Sequence, residues 1–241
     1  MEAAKSAHRV DELRHPTTLQ ARAQEPFLTG AAWAFLALFA VAAAGDWVAV
    51  ARRPGGRGLE YVCKPAALVA LLLAAVALDP ADGGQRAWFV VALAWCLAGD
   101  VFLMLPTDRF VPGLASFLVG HLAYVVGLSL DPHWSGGRFA VGLVVVAAAL
   151  AVLGRRVVGA VAGHDRALVP PVVAYMAAIS AMVASAVATG DVRAMVGAGL
   201  FYASDTLIAL DRFERTRPWA GLAIMVTYHL GQLGLVLSLP G

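Results

Sequence analysis

The sequence predicts an all-α, polytopic integral membrane protein with eight transmembrane helices, and three observations carry that prediction. Of 241 residues, 60% are apolar and 14% charged, whereas a soluble domain holds about 25% charged residues. The mean hydropathy is +0.75, and the apolar residues fall in runs of roughly 20, the length that crosses a bilayer as a helix. No stretch alternates apolar and polar residues as half-buried strands do. A disordered chain and an ordinary soluble domain are both excluded. The net charge of +2 gives no electrostatic footprint for nucleic acid, so the expected surroundings are lipid and no nucleic-acid partner is expected. Cys63 and Cys96 both lie inside apolar runs and make no disulfide framework.

Residues 1–26 are polar, with charges of both signs, and read as a flexible N-terminal tail. The apolar run after them is long enough to span and carries no cleavage signature. The chain from 27 to 241 reads as one transmembrane domain. The first span, 27–50, stops at Arg52, Arg53 and Pro54. The second, 61–79, stops at Asp79 and Pro80; the third, 87–105, at Pro106; the fourth, 110–130, at Asp131 and Pro132. The fifth, 139–154, is the shortest, stops at Arg155 and Arg156, and borrows length from 157–161. The sixth, 169–189, stops at Gly190 and Asp191, and the seventh, 194–212, at the segment ERTRP. The eighth covers 218–239.

Arginine is biased between the connections. The odd-numbered ones hold Arg52, Arg53, Arg57, Arg109, Arg155, Arg156, Arg166, Arg215 and Arg217, and the even ones hold Arg86, Arg138 and Arg193. The positive-inside rule then puts the odd connections in the cytoplasm and both termini outside. The tail's Lys5, Arg9, Arg14 and Arg22 vote the other way. Usage rich in Ala, Val, Arg and Gly suggests a bacterial plasma membrane.

Ionisable groups inside a span are costly and face a cavity or a partner. The spans contain Asp46, Lys64, Asp100, His121, Asp205 and His229, with Ser116, Tyr124, Ser204, Tyr228 and Gln232. Asp100, Lys64 and Asp205 lie about five, four and seven residues from the odd-connection end of their spans, and the histidines about eleven. All sit between the midplane and one face, which predicts a single polar cavity opening there. Asp46, close to Arg52 and Arg53, reads as interfacial instead, and Asp211 as a span-end residue. Gly113, Phe117, His121 and Tyr124 follow helical spacing, as do Gly197, Phe201 and Asp205, and Tyr228 with Gln232.

A weak internal repeat accompanies this. Pro65 precedes Asp100 by 35 residues and Pro171 precedes Asp205 by 34. An Asp-Arg-Phe triplet follows each, at 108–110 and 211–213, and then a mid-span histidine, His121 or His229. Four spans return the chain to the same side, so the two halves read as parallel 4+4 repeats that bring Asp100 and Asp205 face to face.

The segments CKPAALVALLL, GDVFLMLP, FVPGLASFLVGHLAY, VPPVVAY, LFYASDTLIALDRF and IMVTYHLGQL resemble, in order and spacing, the YhhN-like membrane proteins, which include the animal lysoplasmalogenases. The resemblance covers most of residues 61–238 and leaves the tail and first span unmatched. It implies an eight-helix membrane fold and hydrolysis of the vinyl ether bond of a lysophospholipid, the lysoplasmalogen. The products would be a fatty aldehyde and glycerophosphocholine or glycerophosphoethanolamine. It assigns the paired intramembrane aspartates to Asp100 and Asp205, and supporting roles to Lys64, His121, Tyr124, Ser204 and Tyr228. Ser116 and His229 join these as polar groups at the same depth, although animal members can carry Tyr where this chain has His229.

Two carboxyl groups in different environments suit this chemistry, by analogy with glycoside hydrolysis. One, taken as the deeper Asp205, protonates the vinyl ether; the other, held ionised beside Lys64, assists water. No cofactor and no metal are expected. Two other readings stay open. His121, His229 and the aspartates could hold Zn²⁺ for amide or ester cleavage, although no HExxH-like spacing is present. A polar midplane site could also serve a lipid or small-molecule carrier.

Overall fold

The computed structural model of the chain describes residues 29–79 and 82–239; the expected tail lies outside them. Among the described residues every regular element is helical. These are α1 (Gly30–Ala51), α2 (Arg57–Ala77), α3 (Gly83–Met104), α4 (Phe110–Ser129), α5 (Gly136–Ala149), α6 (Arg155–His164), α7 (Val169–Thr189), α8 (Val192–Phe213) and α9 (Ala220–Leu237). A π-helical turn, Leu150–Gly154, joins α5 to α6 in one rod, so nine helices make eight rods. Seven rods are long and apolar enough to cross a membrane. The eighth, α8, has 22 residues, but Arg193, Asp205, Asp211 and Arg212 dilute its hydropathy.

The fifth rod continues past the Arg155–Arg156 pair, through the 157–161 stretch it was expected to borrow, and stays helical to His164. The arginines lie on its exposed side while Val157 and Val161 are buried against Phe110, Val172, Leu210 and Phe213. An amphipathic stripe thus overrides the charge signal.

Helix starts follow local chemistry. Thr29 caps α1, accepting from Ala32 N at 3.0 Å while its hydroxyl donates to Ala77 O at 2.8 Å. Asp82 and Asp191 cap α3 and α8, each accepting at 2.6 Å from the amide two residues on. Gly190 ends α7 at φ +78°, a left-handed conformation that suits glycine.

α1 lies along α2 and α5 along α7; α3 lies along α4 and α8 along α9. The α8–α9 crossing is tight because glycines face each other: a Cβ on Gly197 would stand 2.7 Å from Leu235 N and 2.8 Å from Gly231 O. The two Asp-Arg-Phe triplets meet on the odd-connection face. Arg212 pairs with Asp108 at 2.6 Å and lies 4.4 Å over the Phe110 ring, and Phe110 packs edge-on to Phe213 at 5.4 Å.

Candidate active site

Asp100 sits four residues from the end of α3, about 6 Å deep at 1.5 Å per residue. Lys64 enters at about 10 Å on α2. They meet as a buried ion pair, Nζ to Oδ1 at 3.0 Å. Tyr228 of α9 donates to the other oxygen at 2.7 Å. Asp100 therefore has a cation from its own half of the chain and a phenol from the other half. Removing one member of such a buried pair costs about 3–5 kcal/mol, because the survivor is left uncompensated.

Asp205, about 12 Å deep on α8, is held differently. Tyr175 of α7 donates to Oδ2, and His121 of α4 brings Nε2 to 3.7 Å from the same oxygen. Among the described residues no Lys or Arg pairs with it. Again one partner comes from its own half and one from the other. A chain of rings joins the two carboxyl sites: Tyr228 to Phe201 at 5.2 Å, Phe201 to His121 at 4.7 Å, and His121 to Tyr175 at 5.1 Å.

The carboxyl groups also differ in access. The Asp205 side chain is 11% exposed against 2% for Asp100. Asp205, Tyr175, Tyr202 and Thr206 supply the polar lining of an otherwise apolar cavity walled by Leu114, Met176 and Val157. Leu103, Phe110 and Ile208 form its boundary with a second cavity, which Arg53, Lys64, Asp211 and Arg212 make polar. At its rim the Arg212 hydrogen bond holds the Asp108 carboxyl below its usual range. An apolar chamber ending at Asp205 thus adjoins a polar vestibule reaching Lys64.

The remaining sequence candidates find partners elsewhere. Ser116 donates to Pro112 O one turn back on its own helix at 2.9 Å. Ser204 donates to Ile224 O at 3.1 Å and braces α8 to α9. Tyr124 donates to Gln232 Oε1 at 2.6 Å. His229 accepts at Nδ1 from Trp47 Nε1 at 3.0 Å, away from His121. Among the described residues no three His, Cys, Asp or Glu side chains converge as a metal site would need.

A profile of the YhhN family matches residues 59–239. The chain belongs to the YhhN family. It is 38% identical over 155 residues to a protein of Mycobacterium bovis named lysoplasmalogenase, covering 61% of this chain and 58% of that relative. It is 33% identical over 177 residues to the mouse lysoplasmalogenase TMEM86B, covering 73% and 72%. With the human TMEM86B the identity is 35% over 158 residues, 65% of each chain. The match thus spans less than two thirds of the mycobacterial relative's length. No solved structure matches.

Lys64, Asp100, His121, Tyr175, Asp205 and Tyr228 all lie within the YhhN match, and α1 lies outside it. α1 nevertheless carries a correction. Asp46, expected at the interface with Arg52 and Arg53, is fully buried. Depth along the helix placed it near the surface, but its face turns inward toward α2. Tyr175 escaped the sequence reading because its span, 169–189, holds no ionisable Asp, Glu, Lys, Arg or His to draw attention to it.

Proposed function

We propose that the chain hydrolyses the vinyl ether bond of lysoplasmalogens inside the membrane. The observation that carries this reading is the contrast between two buried carboxyl groups, one paired with a lysine and the other lining an apolar cavity. Asp100 is ion-paired with Lys64, and Asp205, which no Lys or Arg pairs with among the described residues, faces the apolar cavity. The apolar chamber suits a single alkenyl chain. The arginine-lined vestibule suits the glycerophosphodiester, since guanidinium groups bind phosphate oxygens in pairs. The vinyl ether then lies at the boundary near Leu103.

Asp205 acts as the acid and gives its proton to the alkenyl carbon β to the ether oxygen, leaving an oxocarbenium ion. A buried charge is costly in a low dielectric, so a carboxyl without a cation suits the protonated role. Water adds to the carbon α to oxygen and loses its proton to Asp100 or, through solvent, to Asp205. The hemiacetal collapses to a fatty aldehyde and glycerophosphocholine or glycerophosphoethanolamine. Tyr228 and Lys64 hold the Asp100 carboxylate, and Tyr175 and His121 hold Asp205 in place. The arginine bias puts the vestibule on the cytoplasmic side of a bacterial plasma membrane, with both termini outside.

The test is aldehyde release by the purified protein from a lysoplasmalogen, with the saturated ester lysolipid as control. Asp100→Asn and Asp205→Asn should each lower turnover by at least about 100-fold, the scale of a lost acid or base. Near-normal turnover in either folded variant removes that residue from the chemistry. No aldehyde from folded wild type refutes the reading.

A further inference from the structure

Asp211 lines the polar vestibule beside Arg53, Lys64 and Arg212, and no step of the hydrolysis uses it. Each of those cations is matched by an acid of its own. Arg53 donates to both oxygens of Glu60, Lys64 pairs with Asp100 at 3.0 Å, and Arg212 pairs with Asp108 at 2.6 Å. Asp211 has no such match: among the described residues no ion pair includes it. Its Oδ1 accepts from the Arg217 amide at 2.6 Å, and among the described residues Oδ2 accepts from no donor. The Arg217 guanidinium turns elsewhere, to Glu214 and to the carbonyls of Leu210 and Arg215.

The position is unfavourable for a carboxylate with only a structural task. Asp211 sits in the last turn of α8, where the helix dipole already places partial negative charge. One amide bond offsets part of that cost, and a cation seated against Oδ2 offsets more. The arginines meanwhile keep donors free. Arg53 spends Nε and Nη2 on Glu60, and its Nη1 lies 3.6 Å from where a Cβ on Gly221, another wall of the vestibule, would stand. Arg212 spends Nη2 on Asp108. One cavity thus offers guanidinium donors to an anion and a single carboxylate oxygen to a cation, the charge pattern of a zwitterion.

The lining also separates one kind of ammonium from another. A primary ammonium carries three N–H donors and can place one on Oδ2. A quaternary ammonium has none and is held instead by aromatic faces. Among the described residues Phe110 is the one aromatic wall of the vestibule. It is already engaged by the Arg212 guanidinium at 4.4 Å and by the Phe213 ring at 5.4 Å.

We propose that Asp211 is the ammonium subsite of the vestibule. It accepts a hydrogen bond from the primary ammonium of an ethanolamine headgroup whose phosphodiester lies on Arg53 and Arg212, and so selects ethanolamine over choline lysolipids. The selection during turnover rests on the hydrolase reading; the binding preference does not.

The test has a catalytic arm and a binding arm, both in the purified full-length chain. In the first, kcat/KM for aldehyde release is compared between alkenyl lysolipids of one chain length carrying ethanolamine or choline. Wild type favours ethanolamine by about tenfold or more, the scale of one hydrogen bond to a charged group, and the difference lies mainly in KM. In Asp211→Asn, which keeps an acceptor for the Arg217 amide, the ratio falls to within about twofold of one. In the second arm the ligands are saturated alkyl ether lysolipids, which have no vinyl ether to cleave. At equal concentration the ethanolamine form raises the thermal midpoint of wild type more than the choline form does, and Asp211→Asn abolishes the difference. Equal midpoint shifts in wild type, a ratio within about twofold of one in an active wild type, or a preference that survives in folded Asp211→Asn each overturn the proposal. Where Asp211→Asn fails to fold, Asp211→Ser is read in its place; if neither folds, Asp211 is a structural residue and the proposal falls. A wild type that releases no aldehyde yet discriminates in the binding arm defeats the hydrolase reading and leaves the subsite standing.

Discussion

Replacing Tyr228 by Phe isolates one interaction of the Asp100 site. The ring keeps its edge-on contacts with Phe117 at 6.0 Å and Phe201 at 5.2 Å, so the change reduces to losing the 2.7 Å hydrogen bond from the phenol to Asp100. A hydrogen bond to a charged group is worth about 1.5–3 kcal/mol net. Lys64 stays in place, so Asp100 remains paired and the fold survives. If the Asp100 carboxylate faces growing positive charge in the transition state, the loss falls on kcat. At about 1.4 kcal/mol per decade it lowers kcat by roughly 10- to 150-fold. KM should stay within about twofold, because the phenol lies behind Asp100 and does not line the apolar cavity. Aldehyde release coupled to reduction by a nicotinamide-dependent enzyme gives both constants, and a melting curve in detergent checks the fold. A kcat within twofold of wild type in a folded Tyr228→Phe refutes the argument that the charge held on Asp100 matters to the reaction.

Further outcomes follow from other parts of the molecule. Gly197→Ala drives a methyl against backbone atoms of α9 that cannot rotate away, so it should cost about 1–3 kcal/mol or more, seen as a lower thermal midpoint. Ala209→Phe narrows the apolar cavity and should favour shorter chains, lowering the long-to-short ratio of kcat/KM by about tenfold. On the odd-connection face, hydrogen bonds from Arg217 and Arg156 hold the Glu214 carboxyl below its ordinary 4.5. A depressed carboxyl stabilises the fold above its unfolded value, and that contribution is lost as pH falls through the folded value. The thermal midpoint should therefore begin to drop below about pH 4.5, and Glu214→Gln should flatten the drop slightly, since the pair is exposed.

The eight rods were legible because a bilayer demands long apolar runs, and predicted and observed ends agree closely: 169–189 matches Val169–Thr189, and 110–130 compares with Phe110–Ser129. Arg155 and Arg156 marked a stop while the short fifth span called for length from 157–161, and how far the helix runs beyond them could not be read, because the burial of Val157 and Val161 is settled by neighbours distant in sequence. Depth along a span could be counted from its ends, which singled out Lys64, Asp100 and Asp205. Facing could not: whether Asp46 points to lipid, to its own arginines or to Lys64 depends on how α1 is rotated, and its window of small apolar residues defines no face. The same blindness separates His121, which meets Asp205, from His229, which meets Trp47. The paired Asp-Arg-Phe triplets were visible as a repeat, but their packing against each other needed the fold.

The crossed partnership around the two aspartates bears on how the chain is made. Each half carries one costly carboxyl and also one group that satisfies it without help: Lys64 for Asp100 and Tyr175 for Asp205. As helices leave the ribosome and enter lipid one after another, neither acid has to wait bare for a partner not yet synthesised. Tyr228 and His121, the contributions across the halves, engage only when residues of the two halves pack together. Each half can therefore enter the membrane with its acid already partnered, leaving only the contacts across the halves to form on packing.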